Sequence, residues 1–159
     1  MNFRIVDYPF EVGHAAARLQ LRLRRYLGPA VPTNGSPIDS GPINGGPSLA
    51  APHGAGRPAV LMLHGGNTSS DTFILPQGGL AQFLLDAGFD PWLLEWRASP
   101  YVVRELERRS PLGGSEREER RLYAMDTVVE EDIPGALTEL RRHIGTVELS
   151  LVGHCLGGG

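Results

Sequence analysis

The stretch that most constrains this chain lies at residues 147–159. Val147-Glu148-Leu149-Ser150-Leu151-Val152 is a short apolar run of strand length, and it leads directly into Gly153-His154-Cys155-Leu156-Gly157-Gly158-Gly159. A reactive side chain set between glycines straight after a strand requires a tight reversal, in which small neighbours let backbone approach backbone and tolerate strain at the residue between them. Such a turn lifts its central side chain out of the end of a sheet. Cys155, a nucleophile-type thiol, stands at the centre of this turn, and the strand before it needs neighbours.

Those neighbours are legible upstream. Ala59-Val60-Leu61-Met62-Leu63 is continuously apolar, as expected of a parallel strand buried on both faces. His64-Gly65-Gly66-Asn67 follows it as a glycine-rich loop. Residues 79–88 read as a short helix with Leu80, Phe83, Leu84 and Ala87 on its inner face and Gly88 as its C-cap. Asp90-Pro91-Trp92-Leu93-Leu94-Glu95-Trp96-Arg97 is the next strand, with Trp92 and Trp96 read as core or pocket wall. Farther on, Thr127-x-x-Glu130 is a candidate capping box for a helix whose inner face is Val129, Ile133, Leu137, Leu140 and Ile144; Pro134 either kinks it or marks its first turn.

Gly153-x-Cys155-x-Gly157 resembles the nucleophile elbow of α/β-hydrolase enzymes, in the cysteine form seen in polyhydroxyalkanoate synthases and dienelactone hydrolases. Gly153-His154-x-x-Gly157 and Asp132-Ile133-Pro134 are similar to stretches of acid lipases, and Leu94-x-Trp96-Arg97-Ala98-Ser99 to the hydrolase-like modules associated with cholesterol-oxidase-type proteins. The resemblance covers Ala59 to Gly159. It implies the α/β class: an α/β-hydrolase fold with a mostly parallel sheet and flanking helices, incomplete because the chain is cut at the nucleophile elbow. In that fold the backbone N–H groups of Gly66 and Leu156 form the oxyanion hole for a tetrahedral intermediate on Cys155. His64, Gly65, Gly153, His154 and Gly157 shape the loop and the elbow, with His154 packing or hydrogen-bonding behind the turn.

The implied activity is acyl hydrolysis, by an esterase, lipase or thioesterase acting on an ester or thioester. An acyltransferase resembling polyhydroxyalkanoate synthase is the close variant, with Cys155 carrying an acyl chain from a coenzyme A thioester. A non-catalytic interaction module, or a decayed gene product, is the reading from another class. The triad order nucleophile, acid, histidine places acid and base after the elbow, where four residues follow Cys155. None of His14, His53, His64 or His143 takes the base's place. The expectation is an N-terminal half of an enzyme, inactive alone, whose unfinished sheet edge can pair with a partner chain.

The remaining sequence divides at 1–27, 28–58 and 59–159. Phe3, Ile5 and Tyr8 alternate as a short strand before Pro9. Residues 14–27 carry Ala15, Leu19, Leu23, Tyr26 and Leu27 at helical spacing, although Leu19, Leu21 and Leu23 also fit a strand; propensity favours a helix. A basic amphipathic helix of that kind can touch an anionic membrane surface peripherally, with solvated arginines on a packed helix as the plainer reading. Residues 28–58 read as a Gly/Pro-rich linker. Gly54-x-Gly56-x-x-Ala59 is rejected as a dinucleotide fingerprint because it follows a linker and leads into a strand. The charged stretch 99–121 reads as a solvated excursion with helical ion pairs.

A net charge of −3 and the lack of a basic stripe exclude nucleic acid as an expected partner. No metal-ligand cluster or phosphate loop is present in the sequence, so no cofactor is expected. The single cysteine points to a reducing compartment. With no signal-like segment and no transmembrane run, the expectation is cytoplasmic.

Overall fold

The computed structural model describes residues 3–13, 18–29, 56–76, 78–109 and 124–158. They form a mixed sheet of five strands in the order β1-β2-β4-β3-β5. The strands are β1 (Phe3–Val12), β2 (Leu19–Pro29), β3 (Ala59–Leu63), β4 (Asp90–Glu95) and β5 (Leu149–Gly153). The expected parallel part is β4-β3-β5; β1 with β2, and β2 with β4, run antiparallel.

Helices cover both faces of the sheet. On one face Ala81 and Leu85 of α1 (Leu80–Asp86) pack with Val60, Met62, Leu93, Phe73 and Tyr26. On the other, Ala136 and Leu140 of α3 (Ile133–Ile144) and Val102 of α2 (Pro100–Arg109) pack with Leu21, Leu23, Leu61, Leu63, Trp92, Leu94 and Trp96. β3 and β4 alternate their side chains between the two layers, so both faces need apolar residues; hence their continuous hydrophobic runs. Trp92 and Trp96 are core residues, as expected.

Three expectations are corrected. Where a helix was favoured over residues 14–27, positions 19–29 are strand β2, and residues 14–17 lie outside the described residues. Leucine and arginine favour helix intrinsically, but a strand puts Leu19, Leu21 and Leu23 on one buried face and leaves Arg22 and Arg24 opposite to meet Asp7 of β1. Tertiary pairing overrides propensity, and the basic amphipathic helix is not formed there. In α1 the inner residues are Ala81 and Leu85, while Leu80 and Phe83 are exposed. Gly88 does take the left-handed conformation expected just past the helix, with φ of 90°.

The third correction concerns the helix before β5. The Thr127 capping box does not form: helical structure starts at Met125, Thr127 lies inside it, and Thr127 makes no side-chain capping bond. Val128–Asp132 form a π-helical turn before α3. Pro134 has no N–H for the Glu130 carbonyl and its ring crowds that position, so the wider turn accommodates it. The extra residue rotates the upstream face. Val128 and Asp132 are buried, and Val129 is 67% exposed.

The 99–121 segment is α2 as far as Arg109, with an Arg108–Glu105 ion pair at 3.1 Å; residues 110–123 lie outside the described residues, as do 30–55 of the expected linker. No described helix is long and apolar enough to cross a membrane. Within the described sheet β5 is an edge strand, and its Leu151 is 56% exposed.

Candidate functional site

Register decides where the two sequence-predicted loops meet. β3 and β5 are parallel neighbours with Leu63 opposite Gly153, so the 64–67 loop and the cysteine turn leave the same sheet edge side by side. Ligands of open α/β sheets bind outside such carboxyl ends. The His154 N–H donates to the Leu63 carbonyl at 3.0 Å, and the Gly157 N–H donates to the His154 carbonyl at 3.0 Å, closing the turn Cys155–Gly158.

Cys155 has φ of 56°, the left-handed region that a residue with a Cβ enters only under constraint. The constraint comes from its neighbours. A Cβ at Gly153 would lie 2.2 Å from the Gly157 carbonyl oxygen, and one at Gly157 would lie 2.5 Å from the Leu63 oxygen. Only glycine admits this backbone-on-backbone packing, and it forces Cys155 outward: the cysteine is exposed. The loop is pressed as closely. A Cβ at Gly65 would lie 3.0 Å from Cys155 Cβ, and one at Gly66 would lie 2.7 Å from Leu156 Cδ1. Gly66 and Leu156 are thus in contact beside Cys155. His154, expected behind the turn, is exposed, with its ring next to Gly65.

Beneath the loop lies a buried polar network. His64 is fully buried, its ring 5.4 Å from that of Trp96, and Nδ1 lies 2.7 Å from the Gly65 carbonyl oxygen; a carbonyl can only accept, so Nδ1 carries the proton. The Trp96 indole N–H donates to the His64 carbonyl at 3.1 Å, and the Thr68 hydroxyl donates to the Gly65 carbonyl at 3.1 Å. Glu95, also fully buried, accepts the Ser70 N–H at 2.9 Å and a very short bond from the Ser70 hydroxyl. Arg24 donates to Ser70 Oγ at 2.8 Å and to Asp71 at 2.7 Å. Burial opposes the charge of Asp71, but Arg24, Tyr101 and Ser69 hold its carboxyl below the usual range. Sequence reading missed Glu95, Ser70 and Arg24, because no local spacing links them.

Burial pushes His64 below the ordinary histidine value; the Gly65 carbonyl and the charge of Glu95 oppose this without overcoming it. The unfolded chain therefore protonates His64 near pH 6.5 while the folded chain does not. Below that pH the unfolded state binds more protons. The His64 contribution is expected to erode stability as pH falls through 6.5 toward the folded value, by at most about 1.4 kcal/mol per pH unit. Urea unfolding of wild type and His64→Asn at pH 7.5 and 5.5 checks this: the variant should lose part of the acid slope, and parallel slopes would contradict it.

His143, on α3, stacks near Tyr8 and Trp92, with centroids 4.2 and 5.7 Å away, and pairs with Glu139 at 2.9 Å. His14 and His53 lie outside the described residues. Among the described residues no cluster of His, Cys, Asp and Glu could hold a metal ion.

No protein-family profile matches the chain. It is 30% identical over 117 residues to human (Homo sapiens) lipase member K, an alignment covering 67% of this chain and 28% of that protein. It is 32% identical over 109 residues to gastric triacylglycerol lipase of Bos taurus, covering 67% and 26%, and 32% identical over 103 residues to the Homo sapiens form, covering 64% and 25%. The chain spans about a quarter of the length of these relatives. By sequence, it is similar to part of the α/β-hydrolase-like lipases represented by lipase member K and gastric triacylglycerol lipase.

Proposed function

We propose that this chain carries the nucleophile and oxyanion hole of a lipase- or esterase-type acyl hydrolase, with Cys155 as nucleophile. The carrying observation is the left-handed, exposed Cys155 at the end of β5, with the Gly65-Gly66 loop packed against it. The similarity to lipases supports the same reaction class. The Cys155 thiolate attacks the acyl carbonyl carbon, forming an S–C bond and an oxyanion that the Gly66 and Leu156 N–H groups stabilise. Collapse breaks the bond to the leaving alcohol or thiol, which departs with a proton from the general acid. Water then attacks the acyl-cysteine thioester, releasing the carboxylic acid and regenerating the thiol. Acid and base belong after the elbow in triad order.

A second reading, acyl transfer from a coenzyme A thioester, is favoured by the cysteine itself, since thioester exchange suits a sulfur nucleophile. Product analysis with p-nitrophenyl esters and with acyl-coenzyme A separates the two. Free acid from the ester supports hydrolysis. Transferred acyl product from the thioester supports transfer, and turnover of neither above the uncatalysed rate by a protein that also carries the triad's acid and base would sink both readings. The reducing setting inferred from the single cysteine fits a thiol nucleophile, and the exposed β5 edge is the surface a further strand would pair with.

A further inference from the structure

The loop that carries Gly65 and Gly66 begins at His64 and ends at Ser70, where a short helical turn, Ser70–Phe73, starts. Both ends face one side chain from the neighbouring strand. Glu95 Oε1 accepts the Ser70 N–H at 2.9 Å and the Ser70 hydroxyl, while Glu95 Oε2 lies 3.6 Å from His64 Nε2. Among the described residues neither Oε2 nor Nε2 has a hydrogen-bond partner, and both side chains are fully buried. The groups around this pair are Arg24 from β2, which reaches Glu95 Oε1 at 3.4 Å, and Asp71 beyond Ser70, held by Arg24 and by the Tyr101 hydroxyl of α2 at 3.2 Å. The His64 and Gly65 carbonyls are held by Trp96, Thr68 and the His64 ring, whereas the Ser70 end of the loop is held by this buried carboxylate at the end of β4.

We propose that Glu95 is the positioning residue of the 64–70 loop: it holds Ser70 at the far end, faces His64 at the near end, and so sets Gly65 and Gly66 against the cysteine turn. The proposal rests on the acyl-transfer chemistry above only for its consequence, the placement of the oxyanion donor; the anchoring is testable without activity. Because Nδ1 donates to Gly65, His64 presents a bare Nε2 toward Glu95. Glutamine at 95 can keep the Ser70 contacts through its amide oxygen and donate its NH₂ to that nitrogen. Alanine removes both Ser70 bonds and leaves the His64 end without a facing group.

Hydrogen exchange resolved by residue, on the whole protein, reads the anchoring. In Glu95→Ala, amides of 64–70, Ser70 above all, are expected to exchange at least about 10-fold faster while Leu61 to Leu63 of β3 stay protected. Glu95→Gln should stay within about threefold of wild type. Turnover should follow, with kcat lowered at similar KM in the alanine variant and recovered in the glutamine one. Wild-type protection in Glu95→Ala, or a glutamine variant as loose as alanine, overturns the proposal. Should the alanine variant fail to fold, Glu95→Asp carries the test: its carboxylate is one methylene short, so faster loop exchange is expected and wild-type protection overturns the assignment. An inactive wild type does not touch the anchoring, and the exchange pattern still decides it.

Discussion

In a protein that also carries the triad's acid and base, replacing Cys155 with alanine is expected to lower kcat for acyl turnover by at least about 10⁴-fold, or about 5 kcal/mol of transition-state stabilisation. The alanine has no atom to form the acyl intermediate, and what remains is the two backbone donors and substrate binding. The fold should not notice. Cys155 is exposed, so loss of its sulfur is expected to change stability by less than about 0.5 kcal/mol. Cys155→Gly separates the two effects further. It removes the strain of a left-handed residue with a Cβ, about 1–2 kcal/mol, against about 0.4–1 kcal/mol of added freedom in the unfolded chain. An inactive variant at least as stable as wild type is the expected result, read by steady-state kinetics and urea midpoints. A glycine variant markedly less stable would mean that the cysteine side chain holds the turn together.

The largest effect on stability is expected far from the thiol. Asp132 is fully buried in the π-helical turn, where its carboxylate accepts the Arg97 Nε–H at 2.9 Å, the Arg97 backbone N–H at 3.2 Å and a further bond from the guanidinium. Arg97, just past β4, is itself buried and meets Glu131 at 3.2 Å. The pair ties the end of β4 to the helix that leads into β5, so it fixes the approach to the cysteine turn. Removing one partner of a buried ion pair leaves the other charge under-compensated, which costs up to about 3–5 kcal/mol. Asp132→Ala is expected to fall in that range by urea unfolding, whereas replacing both residues with apolar ones of similar volume should recover much of it. A loss below about 1 kcal/mol for Asp132→Ala would show that Glu131 and solvent suffice for Arg97.

What the sequence disclosed and what it withheld follow one rule. Ala59–Leu63, Asp90–Glu95 and Leu149–Gly153 were readable because burial on both faces or a position before a glycine turn writes itself into consecutive residues. The Gly65-Gly66 loop and the Gly153-x-Cys155-x-Gly157 turn were readable for the same local reason. Residues 19–27 were misread because leucine and arginine suit a helix, and only pairing with β1 and β4 makes the strand the better solution. In the helix before β5 the expected Ile133, Leu137, Leu140 and Ile144 pack on the core, and only Val129 falls off that face, because a π-turn upstream inserts a position that no 3.6-residue pattern anticipates. Glu95 with Ser70, and Arg97 with Asp132, stayed hidden because their partners are 25 and 35 residues away.

The measurement that bears most directly on the central claim is the mass of the covalent intermediate. The protein is mixed with a p-nitrophenyl ester or an acyl-coenzyme A, quenched in acid during the first turnover, digested and mapped. The expected product is one acyl group on the peptide containing Cys155, attached at sulfur, and absent from Cys155→Ala. An acyl group on another residue, or turnover of the alanine variant at the wild-type rate with no adduct, would contradict Cys155 as the nucleophile.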